Sequence, residues 1–243
     1  MKLFLFVLLP YVVVEASIND RLVGGLEAYD RQFPYQASLR NNLLVHVCGG
    51  SIVKSSWVVT AARCVSRASP SNMFVVVGTN YLTPSGSTFA ITRFVIHPQY
   101  DDNTLKNNIA LVRTRDRLLN APYTAVVPLN IDVTIPGTIG VTSGWGKTST
   151  SAPSFSTSLR YANVSAISLN ECRTALPQYS IDNNELCALT RGVGGCDGDN
   201  GNPLVYNHML IGVLSWGIPC ATGKPDVYVN ASAYVCWIAN TTD

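Results

Sequence analysis

The chain has 243 residues, 47% of them hydrophobic and 13% charged, with a formal net charge of +2. That length and apolar content suffice for a substantial core, in one domain or in two tightly joined barrels, and they argue against disorder. The near balance of charge excludes an electrostatic case for nucleic acid or an anionic membrane surface, and the small basic group Arg113, Arg115 and Arg117 reads as a solvated strand edge.

Lys2, an apolar run over residues 3–14 and small residues around a cut near Ala16 have the layout of a secretory signal peptide spanning residues 1–16. The run falls short of the roughly 20 residues that a membrane-spanning helix needs, so the expectation is a secreted, extracellular protein with no membrane partner. Residues 17–21 then remain as a short pro-segment.

Short apolar runs bounded by turn residues follow at 51–60, 73–78, 89–97 and 109–114, and they predict strands. In 89–96 the order Phe, Ala, Ile, Thr, Arg, Phe, Val, Ile breaks alternation, so composition and flanks carry the strand there. Residues 123–130 lead toward a second barrel, and the Ser/Thr-rich stretch 149–158 reads as a surface loop. Further strands are predicted at 159–167, 209–216 and 227–230. Tyr234, Trp237 and Ile238, spaced i, i+3, i+4, predict a short terminal helix.

Seven cysteines suit an oxidising compartment, and an odd count leaves one unpaired or bonded to another molecule. No C-x-x-C occurs and the three histidines, His46, His97 and His208, are scattered, so neither a metal nor a cofactor is expected. Sequons at Asn163, Asn230 and Asn240 permit glycans in a secreted chain.

Four segments carry the chemistry: Thr60-Ala61-Ala62-Arg63-Cys64, then Asn107-Asn108-Ile109-Ala110-Leu111-Val112, then Gly195-Cys196-Asp197-Gly198-Asp199-Asn200-Gly201-Asn202-Pro203, then Ser215-Trp216-Gly217. Together they resemble, in order and spacing, the motifs TAAHC, NDIALV, GDSGGP and SWG of chymotrypsin-like serine proteases, over residues 22 to about 238. The pattern is closest to arthropod chymotrypsin-like enzymes. The resemblance implies an all-β fold of two six-stranded antiparallel β-barrels with a short C-terminal helix. The implied bounds are about 22–122 for the first barrel, 123–230 for the second and 231–240 for the helix. It also implies the disulfides Cys48 with Cys64, Cys172 with Cys187 and Cys196 with Cys220. Cys236 is then left over, either exposed and able to link two chains in a disulfide-bonded dimer, or buried as free cysteines often are.

By the same resemblance the triad of His, Asp and Ser is replaced by Arg63, Asn108 and Asn200. A guanidinium stays protonated and cannot serve as a general base, and an amide is no nucleophile. The expectation is that the chain is not an enzyme but a serine protease homologue that binds in the former substrate cleft. The partner would be a peptide, a protease inhibitor or another secreted protein. Two rivals are a weak residual endopeptidase of chymotrypsin-like specificity, using a displaced serine such as Ser215, and a secretory protein with no specific ligand. Backbone amides of Gly198 and Asn200 would form the oxyanion hole. Asn202, where the family has glycine, could shift that loop. Ser215, Trp216 and Gly217 would pair with an extended ligand backbone. Gly194 and Asp226 would line the primary pocket, Asp226 either reading a ligand or being satisfied locally. Arg63 would either clamp an acidic ligand or fold across the pocket and plug it. Cleavage after Arg21 would free Leu22, whose ammonium the resemblance pairs with Asp199.

Overall fold

Strands at the junction of the two barrels are apolar on both faces because each serves two cores at once. In the computed structural model, which describes residues 23–83 and 85–243, the expected leader, pro-segment, Arg21 and Leu22 lie outside the described residues. Strands β1 (Leu26–Glu27), β2 (Gln36–Asn41), β3 (His46–Lys54), β4 (Trp57–Thr60), β5 (Met73–Val77), β6 (Ser87–Ile96) and β7 (Ala110–Thr114) come first. Of these, β2 to β7 close into an antiparallel barrel in the order β2-β3-β4-β7-β6-β5. Strands β8 (Ile139–Gly144), β9 (Arg160–Ile167), β10 (Glu185–Ala188), β11 (Pro203–Tyr206), β12 (Met209–Trp216) and β13 (Asp226–Asn230) form the second barrel. Its order is β9-β10-β13-β12-β11-β8, closed by the pairing of β8 with β9, and β1 adds to β9 from outside. The expected pair of six-stranded antiparallel barrels is therefore the fold.

On β4, Val58 points into the first barrel while Trp57 and Val59 point into the core between the barrels. On β7, Ala110 and Val112 face inward and Leu111 faces the second barrel with Val213, Val229 and Ile238. Successive side chains on a strand point to opposite faces, so strands at the barrel junction are apolar on both sides and lose the plain alternation of a half-exposed sheet.

The broken pattern in β6 has a specific cause. The register against β7 shifts between Ile91 and Arg93, and an extra residue at a β-bulge moves every later side chain to the other face. Phe89 and Ile91 face the first core before the bulge, and Phe94 and Ile96 pack against it afterwards. The run 51–60 divides in two: β3 ends at Lys54 and β4 begins at Trp57, with a tight turn at Ser55 and Ser56.

The terminal helix begins as a 3-10 turn over Ala231–Tyr234 and continues as α2 (Val235–Thr242). Tyr234 and Ile238 are buried and Trp237 packs beside them against the inter-barrel core. A second helix, α1 (Leu169–Ala175), was not anticipated, although Ser168 and Glu171 spell a capping box. The Glu171 amide donates to Ser168 Oγ at 3.2 Å and the Ser168 amide to Glu171 Oε2 at 2.8 Å, satisfying two amides the helix start leaves unpaired. All three expected disulfides form, and Cys236 is free and exposed on α2. None of the described helices is long and apolar enough to cross a membrane.

Candidate functional site

Each barrel delivers one side of a cleft. Arg63 stands on a single 3-10 turn (Ala62–Cys64) directly after β4, and Cys64 in that turn is tied back to Cys48 on β3. Asn108 precedes β7. Its side chain is fully buried; Oδ1 accepts the Arg63 amide at 2.9 Å, and Nδ2 donates to Ser215 Oγ at 2.9 Å and to the Ser215 carbonyl at 3.3 Å. Asn200 comes from the loop before β11, and its carbonyl accepts the Gly49 amide of β3 at 2.9 Å. Arg63 and Asn200 line one cavity of about 230 Å³ with Gly195, Cys196, Asp197, Leu214, Trp216, Gly217, Pro219 and Asp226. The three positions that the sequence proposed as triad equivalents thus converge from three separate segments.

Arg63 forms a wall of this cavity and also lines a neighbouring one of about 280 Å³ with Arg67, Asp102, Asn103 and Leu105. Its side chain is exposed and borders open space rather than filling it. Ser215 is only 1% exposed and its Oγ is an acceptor for Asn108, so it is not presented to the cleft as a displaced nucleophile. Trp216 and Gly217 do face the cavity. Gly217 has no room for a side chain, because a Cβ there would overlap the Asp226 carboxylate.

Asp226 opens β13, is 6% exposed, and accepts the Gly195 amide at 2.6 Å. Burial pushes its carboxyl up to about 6 against the partial relief that this hydrogen bond supplies. It is bonded locally through Gly195 and also forms part of the cavity wall. Gly194 bridges Val23 instead of facing the cavity, where Gly195 takes its place.

The loop 195–202 turns through left-handed backbone at Gly198 (φ 93°) and Gly201 (φ 83°), where only glycine is unstrained. Asn202 is not among the positive-φ residues, so the feared shift of the loop does not arise from its backbone. Among the described residues the amides of Gly198 and Asn200 donate to no acceptor, which leaves both open to a ligand. Asp199 lies beneath, 1% exposed, with burial pushing its carboxyl up to about 7 and hydrogen bonds from the Cys196 and Gly146 amides opposing the shift.

Sequence reasoning passed over His46. It sits at the start of β3, its Nε2 donating to the Gly198 carbonyl at 3.0 Å while Nδ1 accepts from Ser38 Oγ at 2.8 Å. Burial holds its pKa down at about 4, so the ring is neutral and fixes one face of the Gly198 turn. A lone histidine without metal-like spacing carries no signal in the sequence; only the contact with Gly198 gives it a role.

Comparison with known proteins agrees with this frame. The family model described as Trypsin matches residues 22–238. Trypsin delta of Drosophila melanogaster is 34% identical over 225 residues, 91% of this chain and 88% of that protein. Trypsin alpha of the same species is 33% identical over 230 residues, 93% and 90% of the two chains. Trypsin I-P1 of Gallus gallus is 36% identical over 229 residues, 92% and 90%. These matches correct the expectation that the chain is not an enzyme, since relatives aligned along almost all of it are named trypsins and point to serine peptidases. Triad side chains are also only one part of such machinery: without them, backbone oxyanion donors and cleft binding still leave roughly 10³–10⁴-fold catalysis over water. By its two closed barrels, the convergence of its four motifs on one cleft and a family match over residues 22–238, the chain belongs to the trypsin family.

Proposed function

We propose that this chain is secreted and binds an extended segment of a peptide, a protease inhibitor or another secreted protein in the cleft between its barrels. The observation that carries this reading is the open cavity of about 230 Å³, walled by Trp216 and Gly217 and by the buried Asp226. An extended ligand would add alongside the end of β12 through main-chain hydrogen bonds, which need no particular side chain at position 200. Arg63 adds a fixed positive charge at the mouth, favouring a ligand with a carboxylate beside the segment that enters the pocket. Three disulfides support an oxidising compartment, as does the leader-like stretch at residues 1–16.

The test is calorimetry of the purified chain against a protease-inhibitor loop and against short peptides with and without an acidic residue. Saturable one-to-one binding, tighter for the acidic peptides and weakened by salt, is expected. No heat with any of them would sink the proposal.

A second reading, residual serine endopeptidase activity of chymotrypsin-like specificity, is supported by the trypsin relatives and by the unengaged amides of Gly198 and Asn200. Those amides would stabilise the oxyanion formed when a water molecule attacks the scissile carbonyl, the water's proton passing to the leaving group as the acyl bond breaks. Hydrolysis of a peptide ester that co-elutes with the chain and is blocked by the same inhibitor loop is the expected sign. Activity that separates from the chain on further purification would remove this reading and leave the binding proposal untouched.

A further inference from the structure

A buried ionised carboxylate is costly unless donors or a cation compensate it. Among the described residues, no lysine, arginine or histidine forms an ion pair with Asp199. Its compensation is neutral. Oδ1 accepts from the Gly146 amide and from Asn202 Nδ2, both at 2.8 Å, and Oδ2 accepts from the Cys196 amide at 3.0 Å. Two of these donors are backbone and would be present with any sequence. The third depends on the identity of residue 202.

Asn202 is 1% exposed and bonded at both ends of its amide. Its Oδ1 accepts from Gln36 Nε2 at 3.0 Å, and Gln36 Oε1 accepts from Ser143 Oγ at 2.7 Å. The relay therefore runs from Ser143 on β8, through Gln36 on β2, to Asn202 and Asp199 in the loop, joining both barrels to the floor of the cleft. The space is shaped for it: a Cβ on Gly49 or Gly144 would overlap the Asn202 amide. The loop so held supplies Gly195, Cys196 and Asn200 to the cavity wall and carries the Gly198 and Asn200 amides. Buried polar networks in which every member is satisfied rigidify what they join.

We propose that Asn202 is a positioning residue that orders the 195–202 loop before any cut after Arg21, so that the cleft is already formed in the uncut chain. The neutral relay Ser143–Gln36–Asn202–Asp199 supplies the hold that an ion pair at Asp199 would otherwise supply. The inference deepens the binding reading by naming how the cleft is regulated: it is open without proteolysis. Val23, bridged to Gly194, already brings the chain entry beside this loop, so a later cut adds to an ordered site rather than creating one.

The experiment uses the full chain carrying Arg21→Gln, which resists the cut, and reads amide hydrogen exchange at residues 195–202. Exchange there should match the parent cut after Arg21 to within a few-fold. Adding Asn202→Gly should speed it by about tenfold or more while the strands of the first barrel keep their protection, since one buried acceptor and one buried donor lose their partner. Gln36→Leu, which breaks the relay with Asn202 in place, should act in the same direction and serves if Asn202→Gly does not fold. A protease-inhibitor loop should bind the Arg21→Gln chain as tightly as the cut parent, and Arg21→Gln/Asn202→Gly about tenfold less tightly. The proposal is overturned if Arg21→Gln alone exchanges at 195–202 as fast as the double variant. It is equally overturned if Asn202→Gly speeds exchange uniformly through both barrels, the mark of a merely structural residue. A protected loop that binds no ligand would defeat the binding reading and leave the role of Asn202 intact.

Discussion

Asn108 is matched to its pocket as an amide, because its Nδ2 donates to both oxygens of Ser215 while Oδ1 takes the Arg63 amide. An aspartate in its place would have no proton for the Ser215 carbonyl and would sit fully buried with no cation bonded to it, so Asn108→Asp alone should cost about 1–3 kcal/mol of stability. The triple change Arg63→His, Asn108→Asp and Asn200→Ser supplies the base and nucleophile that the carboxylate is there to orient. We expect it to raise kcat/KM for a peptide ester by about 10³-fold or more over the unmodified chain. An unchanged rate in a folded triple variant would mean that the cleft cannot place a scissile bond. Arg63 also has a separate role at the cleft mouth. Arg63→Ala should weaken binding of an acidic peptide about tenfold and abolish its salt dependence, with neutral peptides unaffected. Tighter binding of neutral peptides instead would make Arg63 a plug.

The elements beneath the cleft carry opposing responses to pH. His46 on β3 is neutral when folded down to about pH 4, whereas the unfolded side chain takes a proton near its ordinary value of 6.5. Unfolding therefore takes up a proton between those values, and this part of the stability, complete above pH 6.5, is lost as pH falls toward 4. Asp199 and Asp226 act in the other direction. Their carboxyls are pushed up to about 7 and about 6 from 3.8, so the folded chain keeps protons that the unfolded chain releases, and stability falls as pH rises through that window. Replacing His46 with Gln should remove this rising contribution, roughly 3 kcal/mol between pH 4 and 6.5, and leave a profile that declines with pH more steeply than the parent's over the same range. Urea midpoints of parent and variant across that range measure it. Parallel profiles would show that His46 does not stay neutral in the folded state.

For the whole molecule, the odd cysteine is the feature that reaches beyond one chain. Cys236 is exposed on α2 while the other six cysteines are paired. It should react with a thiol reagent without denaturant, and under oxidising conditions it should give a dimer on a non-reducing gel that reduction or Cys236→Ser abolishes. A monomer with no reactive thiol would mean that another group caps it. The sequence by itself determined the fold class, because apolar runs at strand length and four motifs in order and spacing leave few architectures, and resemblance supplied the disulfide pairs. It also determined which residue types stand at positions 63, 108 and 200. It could not locate α1 from apolar periodicity in so short a segment, although the Ser168 and Glu171 pair was legible. Nor could it see through β6, where the bulge between Ile91 and Arg93 reverses the faces. Taken from side-chain identity alone, those three positions led to an exclusion of catalysis that the trypsin relatives overturn. Only the tertiary structure decided the rest of the site. Closure of the barrels brings Gln36 to Asn202, 166 positions apart, and His46 to Gly198, 152 apart. Such contacts depend on strand register and barrel closure, which set distances between residues that no local pattern relates.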